Sequence, residues 1–162
     1  MTEDVMVERA LAYFAIEKGH ATNTQLNESV ILDRFASWFF KNQSSWASLK
    51  IEQVLTYLKK QRRNRNLSAG SMKLEIIVLR NFLRFLHREK VLELDLADQL
   101  EIPKLPSRLP KTLTEEEVDR LIQVEWEDSP LGLRNHAIIE VLYASGIRVS
   151  ELCDLRMEKV DL

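Results

Sequence analysis

The sequence predicts an all-α chain in two parts: a four- to five-helix bundle over residues 1–102, then a shorter helical segment over 112–162. Three observations predict it. Apolar residues recur at helical spacing in successive stretches, as at Ile51, Val54, Leu55 and Leu58, which places them on one face of a helix. Pro is absent before residue 103, Gly occurs in that region only at 19 and 70, and no stretch alternates as a strand would. Finally, Pro103, Pro106 and Pro110 fall within the linker 103–111, which therefore cannot propagate a helix and favours an extended, semi-rigid connection.

The elements follow in order. A first helix is expected from Glu3 to Lys18, with Met6, Ala10 and Phe14 on one face and Gly19 as its stop. A second starts at Thr22, where Gln25 can complete a capping box, and continues through Leu26, Val30 and Phe39 to Lys41. The third follows Ser48. The fourth follows Ser68 and runs to Arg88, with Met72, Ile76, Leu79, Leu83 and Leu86 as its apolar stripe. Asp95 is placed to cap a short fifth helix ending near Leu100. Beyond the linker, Thr114 and Glu117 form a capping box, flanked by the staple pair Leu113 and Val118. Val118, Leu121 and Ile122 continue the buried face of that helix. Ser129-Pro130 begins another, with Pro at the first helical position, and Gly146 ends it. A last short helix holds Val149, Leu152 and Leu155, and Val160-Asp161-Leu162 has the character of a strand start. Some fifty residues make a marginal domain, so this second part reads as the opening of a larger one.

With 162 residues and 45% hydrophobic content the chain can bury a sizeable core. No apolar run approaches the roughly 18 residues a bilayer span needs, and the acidic Met1–Val5 start lacks the order of a signal peptide. Cys153 is the single cysteine, which rules out an internal disulfide framework. A cytoplasmic, reducing location with no membrane partner is expected. His20, His87 and His136 show no metal-ligand spacing, and neither metal nor cofactor is expected. Cys153 reads as a small buried residue. Tyr13, Tyr57, Tyr143, Trp38, Trp46 and Trp126 read as packing or interface residues.

The net charge of −2 hides an uneven distribution: residues 59–90 carry 10 basic against 2 acidic side chains. Arg62, Arg63 and Arg65 lie between the third and fourth helices. On the fourth helix Lys73, Arg80, Arg84 and Arg88 recur at spacings of 7, 4 and 4, within an arc of roughly 80° beside the apolar face. Such a stripe can follow a DNA groove and neutralise phosphates, or it can be a solvated helix face. Asn23, Thr24, Ser68 and Ser71, near helix N-termini, are positioned either to cap or to contact phosphate. Lys104, Arg108 and Lys111 of the linker complete the candidate DNA contacts.

The segment Leu142–Leu152, containing Gly146-Ile147-Arg148-Val149-Ser150-Glu151-Leu152, resembles the stretch that carries the first catalytic arginine of Xer-type tyrosine recombinases. The same resemblance holds at Pro103–Lys111, Leu113-Thr114-Glu115, Val118-Asp119-Arg120-Leu121 and Leu133-Arg134-Asn135-His136-Ala137. The helical pattern of residues 1–100 is similar to the family's core-binding, SAM-like domain. The resemblance implies a clamp on duplex DNA, with a helical domain on one side and a mixed α/β catalytic domain on the other. A tyrosine would attack the scissile phosphate, a 3′-phosphotyrosyl link would form, and a 5′-hydroxyl would resolve it without any cofactor. It further implies a paralogous or identical recombinase subunit in a tetrameric synaptic complex, and chromosome dimer resolution as the cellular role. Arg148 matches the phosphate-clamping arginine; a guanidinium can hold two non-bridging oxygens at once, which lysine cannot. Glu151 matches the acid that helps to order that site.

The family's other catalytic groups have no counterpart here. None of the three His residues is followed by Arg at the third position. The expectation is a recombinase truncated after its first catalytic arginine, binding DNA without cleaving it. Alternatives are a piece of a phage, plasmid or transposon integrase, a non-catalytic helical DNA-binding protein, and a helical module that binds protein.

Overall fold

In the computed structural model, residues 3–41, 43, 45–104, 112–156 and 158 are described. The chain divides into two compact units, residues 1–107 and 108–162. Among the described residues every regular element is helical.

The first unit holds α1 (Glu3–Ile16), α2 (Thr22–Phe39), α3 (Ile51–Arg65) and α4 (Ala69–Arg88), with 3-10 turns at Trp46–Ser48 and Ala97–Gln99. Gly19 follows α1 with φ +64°, the left-handed conformation that Gly adopts without strain. The amide of His20 returns to the Phe14 carbonyl at 3.1 Å, closing the last turn. Ser68 caps α4 by accepting from the Ser71 amide at 3.1 Å.

α4 packs against α1, α2 and α3, so its apolar stripe is the floor of the core. Val78, Leu79, Phe82, Leu83, Phe85 and Leu86 are all buried there, as are Met6, Ala10 and Phe14 of α1. An aromatic cluster fills the centre. Trp46 stacks on Phe39 at 4.9 Å and meets the edge of Phe82 at 5.0 Å, and Phe35 meets Tyr57 at 5.0 Å. Offset and edge-to-face pairs of this kind add to what burial alone supplies.

Several expectations are corrected here. Ala21, with extended backbone, precedes α2 in place of a Thr22–Gln25 capping box. The Gln25 side chain instead donates to the His20 carbonyl at 2.6 Å, securing the approach to the helix. The buried face of α2 is Ile31, Leu32, Phe35, Ala36 and Phe39, whereas Leu26 and Val30 are exposed. Glu28 lies on the same face and is buried against His20 of the preceding loop. Ser48 lies within a 3-10 turn and α3 starts at Ile51, where Gln53 accepts from the Lys50 amide at 2.7 Å. Asp95 accepts from the Ala97 amide at 2.9 Å, but it opens a single 3-10 turn rather than an α-helix.

The second unit holds α5 (Glu115–Ile122), α6 (Pro130–Ser145) and α7 (Val149–Cys153). The expected Thr114 box is present: the Thr114 amide donates to Glu117 at 2.9 Å and the Glu117 amide to Thr114 Oγ1 at 3.3 Å. Ser129 caps α6, Pro130 occupies its first turn, and Gly146 ends it with φ +64°. Gly132 is buried, and a Cβ there would meet the Glu127 carbonyl oxygen at 1.9 Å. This close approach fixes the turn between α5 and α6.

The anticipated burial in this unit does not occur. α5 has no buried residue, and Leu113 and Leu121 are exposed. Tyr143 is 56% exposed and Cys153 is exposed, against the expectation that both pack. α5 and α7, of 8 and 5 residues, offer α6 little facing surface. Trp126 is half-buried, stacked on His136 at 5.8 Å. The expected strand start at 160–162 lies outside the described residues.

Candidate nucleic-acid interface and candidate catalytic arginine

The basic residues of the first unit form two groups on adjoining elements. The first surrounds the α3–α4 corner. Asn66, with φ +45°, ends α3 in the left-handed conformation and lets the chain turn into α4. Arg62 and Arg63 are exposed on the last turn of α3, where cations complement the helix dipole. Neither has an ion-pair partner among the described residues, and the same holds for half-buried Lys73. Ser68 and Ser71 lie between them, bonded to each other through their hydroxyls at 3.0 Å.

Arg65 behaves differently. It donates to Glu75 at 3.1 Å, and Arg34 of α2 donates to the same carboxylate oxygen at 2.7 Å. Glu75 is 3% exposed. Burial raises its carboxyl above the usual range, opposed by Arg34 and Arg65. The same surroundings raise the Tyr57 phenol, through burial first and the nearby Glu75 charge second. One carboxylate thus ties α2, the basic end of α3 and α4 together.

The second group is the α4 stripe. Arg80 and Arg84 both donate to Asp98, at 3.1 and 2.8 Å. Their hydrogen bonds and charge, those of Arg84 foremost, hold the Asp98 carboxyl below its usual range. Arg88 grips Glu17 with both terminal nitrogens, at 3.1 and 3.2 Å, and lies 4.1 Å over the Tyr13 ring. Its guanidinium is held charged still more firmly, chiefly by Glu17. The stripe expected from sequence is therefore present, but three of its four cations have carboxylate partners within the fold. Those partners were not legible because they lie 14 to 71 residues away.

Asn23 and Thr24 occupy the exposed first turn of α2, where the Thr24 amide is bonded to the Ala21 carbonyl at 2.8 Å. Lys104 is exposed. Arg108 and Lys111 lie outside the described residues.

In the second unit Arg148 immediately precedes α7. Its amide donates to Glu151 Oε2 at 2.7 Å, and its guanidinium donates to Glu151 Oε1 at 3.0 Å. The side chain of Arg148 is 83% exposed. Gly146, two residues earlier, reverses the chain so that α7 departs on a new axis and Arg148 stands at the junction. A guanidinium displayed and steered in this way can clamp an oxyanion. Among the described residues no His, Cys, Asp and Glu grouping could hold a metal ion, and no helix is long and apolar enough to cross a membrane.

A helical bundle with a basic corner, joined to a unit that presents an arginine at a glycine-broken helix junction, has a known counterpart. Residues 7–90 match the phage integrase N-terminal SAM-like domain, and residues 111–162 match the phage integrase family. The chain belongs to the phage integrase family, the tyrosine recombinases. More particularly, it is similar to recombinases of the Xer type. It is 35% identical over 159 residues to the tyrosine recombinase XerD of Proteus mirabilis, covering 98% of this chain and 50% of that protein. It is 37% identical over 162 residues to the tyrosine recombinase XerD of Vibrio cholerae, covering 97% of this chain and 52% of that protein. Among solved structures, the crystal structure of XerA recombinase matches with 27% identity and a TM-score of 0.50, over 99% of this chain and 52% of that one. The chain thus spans about half the length of the curated relatives it matches.

Proposed function

We propose that this chain is the DNA-gripping part of a site-specific tyrosine recombinase, with residues 1–102 as a core-binding domain, 103–111 as the linker and 112–162 as the opening of the catalytic domain. The observation that carries the reading is Arg148, exposed at the Gly146 junction and held by Glu151 through both backbone and side chain. In this reading Arg148 clamps the scissile phosphate and stabilises the charge that develops there. Glu151 acts as a positioning residue. The cations Arg62, Arg63 and Lys73, without ion-pair partners among the described residues, supply phosphate contacts, and Arg80, Arg84 and Arg88 supply a more rigid, prepaired face. Asn23, Thr24, Ser68, Ser71, Lys104, Arg108 and Lys111 belong to the same proposed surface. The complete reaction, through a 3′-phosphotyrosyl intermediate and with a second recombinase subunit in a tetrameric synapse, is the activity of which this chain contributes a part. Chromosome dimer resolution in the cytoplasm is the cellular role that similarity to XerD proteins supports.

These 162 residues are expected to bind duplex DNA and not to cleave it. Binding should weaken as salt rises, and replacing Arg62 and Arg63 with Gln should lower the log–log salt slope by about 2. A salt-independent affinity would overturn the DNA surface. Incubation with a nicked suicide duplex should leave no covalent adduct on a denaturing gel, and an adduct would overturn the division of labour proposed here.

A further inference from the structure

A cleft of about 280 Å³ lies between the end of α1, the loop that follows it and the C-terminal half of α4. Lys18, His20, Asn81, Arg84 and Arg88 line it, and among the described residues no carboxylate does. Three of these side chains are backed by an acid that lies outside the cleft. Glu17, which holds Arg88, lines a separate groove with Arg9 and Glu89. Asp98 holds Arg84. Glu28, only 2% exposed, meets His20 Nδ1 at 2.9 and 3.1 Å and has no other side-chain partner among the described residues.

The last pair is the informative one. A buried carboxylate needs a partner, and an ionised one can only accept, so Nδ1–H is the donor. That assignment leaves His20 Nε2 without a hydrogen-bond partner among the described residues; it is a donor to an anion only when the ring carries both protons. The Phe14 ring, 5.8 Å away, supports the imidazole from the side. Lys18 is exposed and 5.8 Å from the Tyr13 ring centre, with no ion-pair partner among the described residues. The arrangement places cationic and amide donors on one side and orienting acids on the other. Such preorganisation lowers the cost of holding an anion.

We propose that this cleft is a seat for one phosphate group, with Lys18 and His20 as ligands alongside Asn81, Arg84 and Arg88. The phosphate has two sources, a free phosphate ion or a phosphodiester of duplex DNA; the second rests on the DNA-binding reading above. The charge of Lys18, with the remaining N–H groups of Arg84 and Arg88, suits either one.

The test is a titration of the full chain with inorganic phosphate against chloride at constant ionic strength, following the His20 ring resonances by NMR. Lys18→Gln is the control variant, with circular dichroism confirming an unchanged fold. A saturable shift, with affinity about tenfold weaker in the variant, is expected from the loss of one charge-assisted hydrogen bond. A shift that does not saturate, or that Lys18→Gln leaves unaltered, overturns the seat. A duplex DNA titration then separates the sources. Competition with phosphate, and a salt slope lower by about one in Lys18→Gln, assigns the seat to the DNA backbone. Duplex binding with an unchanged slope, while phosphate still saturates, supports the seat as one for the free ion. Phosphate binding without any duplex binding supports the seat and overturns the DNA reading instead.

Discussion

Phe82 and Tyr143 are both aromatic residues within long helices, yet Phe82 is fully buried and Tyr143 is 56% exposed. The contrast extends to the units that hold them. In the first unit α4 meets three other helices and an aromatic cluster closes the centre. In the second, Gly132 is the buried residue among those described in α5, α6 and α7, while Leu131, Leu133 and Val149 are exposed. Capping signals are as good in the second unit as in the first; its helix starts and the stop at Gly146 fall where the sequence expects them, whereas α7 ends at Cys153 and leaves Leu155, expected within it, outside and exposed. Good local signals therefore specify helices without supplying a core; most helix stability in proteins comes from tertiary burial. Stability in this chain resides in residues 1–107, and the second unit adds little of its own.

The largest test of that contrast is a pair of truncations. Phe82→Ala should cost about 3–5 kcal/mol in urea denaturation, because it empties a fully packed site. Leu131→Ala should change the same measurement by less than about 0.5 kcal/mol. Comparable losses at both positions would erase the distinction between the units.

A second test sharpens the account of the first unit. Burial raises the Glu75 carboxyl in the folded state, so its contribution is fully present below the unfolded value and is lost as pH rises through the folded one. Stability should fall across that window, and Glu75→Gln should flatten the dependence while keeping an acceptor for Arg34 and Arg65. An unchanged pH profile in denaturant melts of the variant would remove Glu75 as its source.

A third test, local to the α6–α7 junction, is at Gly146. An added Cβ meets nothing within 4 Å, so only the φ of +64° opposes a side chain. Gly146→Ala should cost about 1 kcal/mol, seen as reduced helicity at the α6–α7 junction by amide exchange. Because the second unit contributes little to global stability, the urea midpoint should hardly move.

The fold was legible where periodicity and caps carried it. The stops at Gly19 and Gly146, the cap at Ser68 and the box at Thr114–Glu117 were all readable because each rests on residues a few positions apart. The orientation of α2 was not, since Glu28 enters the interior to meet His20 across the loop, and a polar residue gives no sign of burial in a hydropathy pattern. Arg148 and Glu151 could be singled out as a local pair. The internal partners of the α4 arginines could not, because Asp98 and Glu17 reach them only through tertiary structure.

The double grip of Glu151 on Arg148 has a consequence for how its role can be measured. One carboxylate oxygen closes the first turn of α7 and the other holds the guanidinium. A replacement at position 151 that removes both oxygens therefore frays a helix and releases a cation together, so its effect could not be apportioned between local order and aim. A double-mutant cycle that combines Glu151→Gln with Arg148→Lys separates the two. A coupling energy near zero would mean that the carboxylate serves the backbone alone.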